Sequence, residues 1–143
     1  FTNLQGDGSA ENNKSVVVLV TWNGVRILVT GDIEPEVQSI IARDYDLANV
    51  DILKVPHHGS RFQDSKFLQE TSASIALISV GQGNSYGHPS PETLGSLESG
   101  GASTLRTDTS GPISLAWRFD DSASRYIFTT RTTRKEWWPI QWR

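Results

Sequence analysis

Short runs of β-branched residues alternate along this chain with segments whose apolar residues recur at helical spacing. This alternation restricts the fold more than any single residue does. Residues 15–22 and 25–30 are two such runs, separated only by Asn23-Gly24. That dipeptide predicts a tight hairpin, because both central positions of a type I′ turn need positive φ. Residues 35–42 then read as a helix: Pro35 suits a first turn, and Val37, Ile40 and Ile41 share one face. Residues 51–55 form a short buried strand stopped by Pro56, residues 65–70 a brief helix, and residues 75–80 a further strand. After a glycine-rich loop over 81–88, Ser90-Pro91-Glu92 opens a helix containing Leu94 and Leu97, which Gly100-Gly101 ends. Strands over 103–107, 113–117 and 126–130, with a turn at 108–111, complete the order β-β-α-β-α-β-α-β-β-β. The expected fold class is α/β, a mixed sheet with helices on one face and an antiparallel hairpin at each end. Residues 1–14 carry no apolar period and read as loop.

At 143 residues the chain suits one domain, and 36% hydrophobic with 20% charged residues is the balance of a globular protein. The absence of cysteine excludes a disulfide framework, a cysteine nucleophile and thiolate zinc sites. The longest apolar run, residues 16–20, is far short of the roughly 20 residues that span a bilayer. No secretory leader is recognisable. With no methionine and Phe1 in first place, the chain is expected to be a piece of something larger. Residues 1–117 carry seven basic and thirteen acidic side chains, net −6, whereas residues 118–143 carry six and three, net +3. An acidic body does not look like a general DNA-coating surface. The basic end is either a solvated terminus or a contact for a nucleic-acid backbone or membrane surface.

Several common sites are excluded outright. Neither a Gly-x-x-x-x-Gly-Lys-Ser/Thr phosphate loop nor a Gly-x-Ser-x-Gly elbow is present. The loop Gly81-Gln82-Gly83-Asn84-Ser85-Tyr86-Gly87 begins like a dinucleotide fingerprint, but its third glycine is one place late and no helix opens there. What remains is polar residues at strand ends. Asp32 follows the second strand, His57 and His58 follow the third, and His88 lies beyond the fourth, before a helix start. The carboxyl ends of strands form the ligand crevice of α/β sheets, and a carboxylate with neutral imidazoles suits a divalent metal such as zinc or manganese. Each residue also has a plainer reading: Asp32 as a helix cap, His57 and His58 as exposed loop, His88 as packing beside Pro89. Composition and spacing leave a metal or phosphate site and these structural roles both open.

The segments Val29-Thr30-Gly31-Asp32-Ile33-Glu34-Pro35-Glu36, Leu53-Lys54-Val55-Pro56-His57-His58-Gly59-Ser60, and Ile78-Ser79-Val80-Gly81 with Tyr86-Gly87-His88-Pro89-Ser90-Pro91 together resemble a known pattern. It is that of the metallo-β-lactamase-fold domain of the ComEC-type competence proteins, polytopic membrane proteins of bacterial DNA uptake. Asn12-Asn13-Lys14-Ser15 and Arg106-Thr107-Asp108 resemble it in order and spacing, so the likeness runs from about residue 11 to 115. The resemblance implies half of a four-layer αββα sandwich, the C-terminal half, over residues 1–130. It also implies a nuclease that uses two divalent metals, zinc or manganese, to degrade the DNA strand not taken up. Its partners would be single-stranded DNA, the N-terminal half of the same domain and the membrane-embedded channel. The domain would lie on the extracytoplasmic side of the cytoplasmic membrane. On the same resemblance Asp32 is the carboxylate bridging the metals. One of His57 and His58 is a terminal ligand and the other faces the substrate phosphate. The glycine after His58 favours His58 as ligand. Asn13, Ser15, Ser60 and His88 line the pocket.

One departure qualifies this reading. The family's His-x-His-x-Asp-His loop is absent, and His57 is the first histidine of the chain. Asp32 and one histidine cannot complete a dinuclear cage, so metal is expected to bind weakly or not at all and the chain by itself to be catalytically silent. Two alternatives stay open: a phosphoesterase of small or cell-surface substrates on the same fold, and a non-catalytic scaffold of a DNA channel. Residues 131–143 form a basic, Trp-rich tail. Its Trp137, Trp138 and Trp142 are read as covering a core edge, stacking bases or sitting at a membrane interface.

Overall fold

A computed structural model describes residues 9–132 and the backbone of 135–140. The chain opens with the hairpin β1 (Val18–Trp22) and β2 (Val25–Val29), paired antiparallel. At its turn Asn23 and Gly24 have φ of 47° and 80°, as a type I′ turn requires. A Cβ on Gly24 would collide with the Tyr126 hydroxyl, which donates to Asn23 O, so glycine here also lets a later strand close over the turn.

From β2 the chain repeats one unit three times. Helix α1 (Pro35–Asp44) leads to β3 (Ile52–Lys54), α2 (Ser65–Thr71) to β4 (Ile75–Ile78), and α3 (Pro91–Ser99) to β5 (Ser103–Arg106). Strands β2 to β5 are parallel neighbours in sequence order, giving a mixed five-stranded sheet β1-β2-β3-β4-β5. Right-handed crossovers taken in one direction place every helix on the same face. The alternating register shows it. Leu28, Leu53 and Ala76 pack with Ala42, Phe67, Leu68 and Leu97 from the helices, whereas Val25, Ile52 and Ile75 face Phe128 on the other side. The architecture is therefore α/β, a mixed sheet with its helices on one face, as expected and as half of an αβ sandwich would be built.

The helix boundaries follow from caps. Asp64 accepts from Phe67 N at 2.6 Å and Ser90 from Thr93 N at 3.2 Å. Gly101, at φ 84°, ends α3. Thr107, read from the sequence as the last residue of a strand, and the following residues of the expected turn at 108–111 instead form the single helical turn α4 (Thr107–Ser110).

The second sheet is three-stranded: β6 (Ile113–Asp120), β7 (Arg125–Thr132) and β8 (Lys135–Ile140), antiparallel in that order. Strands β6 and β7 run three and two residues past the apolar runs that announced them, because an antiparallel ribbon keeps pairing through its polar positions. Strand β8 lies within the stretch read as a tail. It occupies an edge, where Pro139 with no N–H to give does not interrupt the ladder. The side chains of Trp137, Trp138 and Trp142 lie outside the described residues. No described helix is long and apolar enough to cross a membrane.

Candidate metal and phosphate site

Four parallel strands end at one edge of the sheet, and the candidate residues follow those ends. Beyond β2, Gly31 turns at φ 59° and sits so close to Ser15 that a Cβ would come within 2.6 Å of the serine Cβ. The turn presents Asp32, whose backbone N–H donates to Ser15 Oγ at 3.0 Å. Beyond β3, Pro56 starts a tight turn in which His57 and His58 both adopt left-handed conformations, at φ 45° and 53°. The loop closes with Gly59 at φ 80°, where an added Cβ would lie 2.6 Å from Pro89 Cβ.

This geometry separates the two histidines. His58 Nδ1 is 2.5 Å from Ser79 O just beyond β4; a carbonyl can only accept, so Nδ1 carries the hydrogen. The other nitrogen, Nε2, faces Asp32 Oδ2 at 3.4 Å. His57 turns elsewhere: its Nδ1 lies 3.3 Å from Glu34 Oε1 and has no exposed surface, yet makes no well-formed hydrogen bond. Its ring meets His88 edge-on, with centroids 5.4 Å apart. His88 is held by Asn84, which gives Nδ2 to His88 O at 2.7 Å and accepts from His88 N at 3.2 Å. Partial burial, and after it the neighbouring imidazoles of His57 and His58, keep His88 below the ordinary imidazole pKa, against a smaller opposing pull from Asp32.

Asp32, His57, His58 and His88 are thus gathered at one edge. The remaining predicted residues serve them from behind. Asn13 Oδ1 accepts from Glu34 N at 2.8 Å and its Nδ2 donates to Glu36 at 3.3 Å, fixing the start of α1. Ser60 is buried; its hydroxyl accepts from Phe62 N and its carbonyl from Thr93 Oγ1 at 2.7 Å, which shapes the histidine loop.

Two residues of the site escaped the sequence reading. Lys54 donates to Gly31 O at 2.7 Å and lies 3.4 Å from Asp32 Oδ1. Burial lowers its pKa and the Asp32 charge acts the other way. Glu34, only 5% exposed, receives Ser9 N and Asn12 Nδ2 at 2.8 Å each. The signal for Lys54 was a cation inside an apolar run; for Glu34 there was none beyond an acid at a helix start, a common cap.

The donor chemistry of Asp32 and His58 fits a divalent cation. With Nδ1 protonated, a neutral His58 aims the Nε2 lone pair at a carboxylate oxygen, and two acceptors facing across 3.4 Å need a cation or a proton between them. Two donors about 2.1 Å from a tetrahedral zinc stand about 3.4 Å apart, and a ligating histidine normally gives its other N–H to an oxygen, as His58 does to Ser79. Among the described residues no group of three or more such donors is assembled, so this pair is a partial cage.

The chain is similar to ComE operon protein 3 of Bacillus subtilis (strain 168), 33% identical over 113 residues covering 78% of this chain and 15% of that protein. It is also similar to competence protein ComA of Neisseria gonorrhoeae, 34% identical over 106 residues, 72% of this chain and 15% of that one. Recombination protein 2 of Haemophilus influenzae matches at 31% over 130 residues, 90% of this chain and 16% of its own length. No family model and no solved structure matches. The chain spans about a seventh of the length of these relatives. Two of these proteins carry names of competence and one of recombination, and in each the likeness is confined to one short segment.

Proposed function

We propose that this chain is part of a metal-dependent phosphodiesterase domain of metallo-β-lactamase fold that cuts DNA within a bacterial uptake protein. The reading includes a membrane-embedded parent, with this domain on the extracytoplasmic side and single-stranded DNA as its partner. The observation that supports it best is the Asp32–His58 pair, preset at ligand spacing with Ser79 O fixing the imidazole. Asp32 and His58 would hold the cation, and the other ligands would come from outside the described residues. Once bound, the metal supplies a polarised phosphoryl oxygen and an activated water. The chain's own residues do the rest. Ser15 holds the Asp32 backbone so that its carboxylate points across the crevice. Lys54 keeps one carboxylate oxygen near a positive charge, leaving the other for the cation. His57, its Nδ1 turned inward, presents its outer nitrogen to a phosphate oxygen or leaving group.

The test is mutagenesis in a full-length protein carrying this segment, reading DNA hydrolysis and metal content together. Asp32→Ala and His58→Ala should lose metal and rate. His57→Ala should keep its metal and hydrolyse about 10²- to 10⁴-fold more slowly. The reverse pattern for the histidines would exchange their roles, and hydrolysis unaffected by all three would leave a scaffold.

A further inference from the structure

We propose that Glu34 is the positioning residue for His57: its buried carboxylate takes the Nδ1 hydrogen, fixes the tautomer and aims Nε2 at the crevice. The inference rests on the phosphate-facing role given to His57 above. It starts from an orphan. Nδ1 of His57 is completely shielded from water and has no well-formed hydrogen bond, a condition that proteins rarely leave uncompensated. The acceptor recorded within ion-pair distance is Glu34 Oε1, 3.3 Å away. A side chain with 23% of its surface still exposed, none of it at Nδ1, must show water its other atoms. The ring is therefore anchored on its inner edge and open on its outer one.

Glu34 is held in place from both sides. Its Oε2 receives Ser9 N and its Oε1 receives Asn12 Nδ2, each at 2.8 Å, while Asn13 holds its backbone N–H. It occupies the N-cap of α1, where the helix dipole favours negative charge. The backbone ties both partners to one place: His57 N donates to Gly31 O at 3.3 Å, within the same strand-end turn that leads into Glu34. A carboxylate held this way fixes which ring nitrogen carries the hydrogen. An extended glutamate in place of a nearer aspartate explains why no local motif betrays it.

The tautomer can be read directly by long-range 1H–15N correlation on the histidines of the 143-residue chain. In the wild type His57 should be protonated at Nδ1. In Glu34→Ala it should pass to Nε2, the form preferred without a partner. Glu34→Gln, which keeps an acceptor of the same length, should preserve Nδ1 protonation while losing the charge. Unchanged amide spectra away from the site separate this from unfolding, and Glu34→Gln covers the case in which Glu34→Ala does not fold. In the full-length protein both variants should lower kcat about 10- to 100-fold with KM and metal content unchanged. Protonation of His57 at Nε2 in the wild type, or a tautomer that ignores Glu34→Ala, overturns the proposal. Correct tautomers in a full-length protein that hydrolyses no DNA would instead sink the nuclease reading and leave Glu34 as the anchor of His57.

Discussion

Gly59 shows how one residue can set a site it does not belong to. Its φ of 80° and the 2.6 Å approach of a built Cβ to Pro89 mean that any side chain must strain the backbone and displace the loop that carries His88. Gly59→Ala should therefore cost about 1–3 kcal/mol by urea titration. Gly81→Ala, in open space and without positive φ, should cost almost nothing. A further residue-scale contact lies beyond β5, where Arg106 grips Asp108 through two bonds of 3.1 and 2.6 Å. The Arg106 hydrogen bond holds the Asp108 pKa below the ordinary value, so its contribution is complete above about pH 4 and disappears as the pH falls through the lower folded value. Asp108→Asn should lower the melting temperature at pH 7, and the gap to wild type should close on acidification; a gap independent of pH would contradict the assignment. Asp32, His57 and His58 were legible because polar residues directly after β-branched runs stand out. Glu34 was not, since an acid before Pro-Glu at a helix start reads the same whether it caps a helix or orients an imidazole.

At the scale of elements, helix α1 buries Gln38 completely at the centre of the face that Val37 and Ile41 announce. Periodicity marks that face correctly but cannot say why an amide sits in it. The structure supplies the reason. Gln38 Nε2 donates to Ile33 O at 2.8 Å and Gln63 Oε1 at 3.0 Å, and its Oε1 accepts from Asp64 N at 2.7 Å. Gln63 in turn donates to Pro56 O and Ser60 O at 3.1 and 3.0 Å, the two ends of the histidine turn. One helix thus clamps the loop between β3 and α2 through two amides. Gln38→Leu preserves volume but strands the Asp64 N–H and the Gln63 amide, which should cost about 1–3 kcal/mol at unchanged m-value in urea. A loss under about 0.5 kcal/mol would show that the clamp is dispensable. Elements whose signals are local were legible: the Asn23-Gly24 hairpin, the Ser90 cap, the Gly100-Gly101 stop. Strand β8 was not, because Pro139 argues against a strand until its place at a sheet edge is known, and edge placement is a property of the pairing.

For the whole molecule, the question is how much of a metal site one chain of this architecture supplies. The parallel strands bring their carboxyl ends to a common edge, so the fold guarantees that residues after β2, β3 and β4 meet there whatever their chemistry. The pair proposed to hold a cation has an acidic side at Asp32 and an imidazole side at His58, with Lys54 close to the carboxylate. Lys54 opposes a cation on that side, and two donors hold a divalent ion far less tightly than the three or four of a closed site. Strand β1 is exposed along its whole length, Val18, Leu19, Val20 and Trp22 included, together with Val16 and Val29, whereas the β6–β7 ribbon covers Val25, Ile52 and Ile75. Zinc added to the 143-residue chain should therefore bind no more tightly than micromolar by calorimetry, with a stoichiometry near one, and Asp32→Ala should abolish the heat. Lys54→Ala, which removes the competing ammonium, should tighten binding. Two tight sites in this chain would mean that the described residues hold a closed cage after all, and binding unaltered by Asp32→Ala would move the metal away from the strand-end crevice.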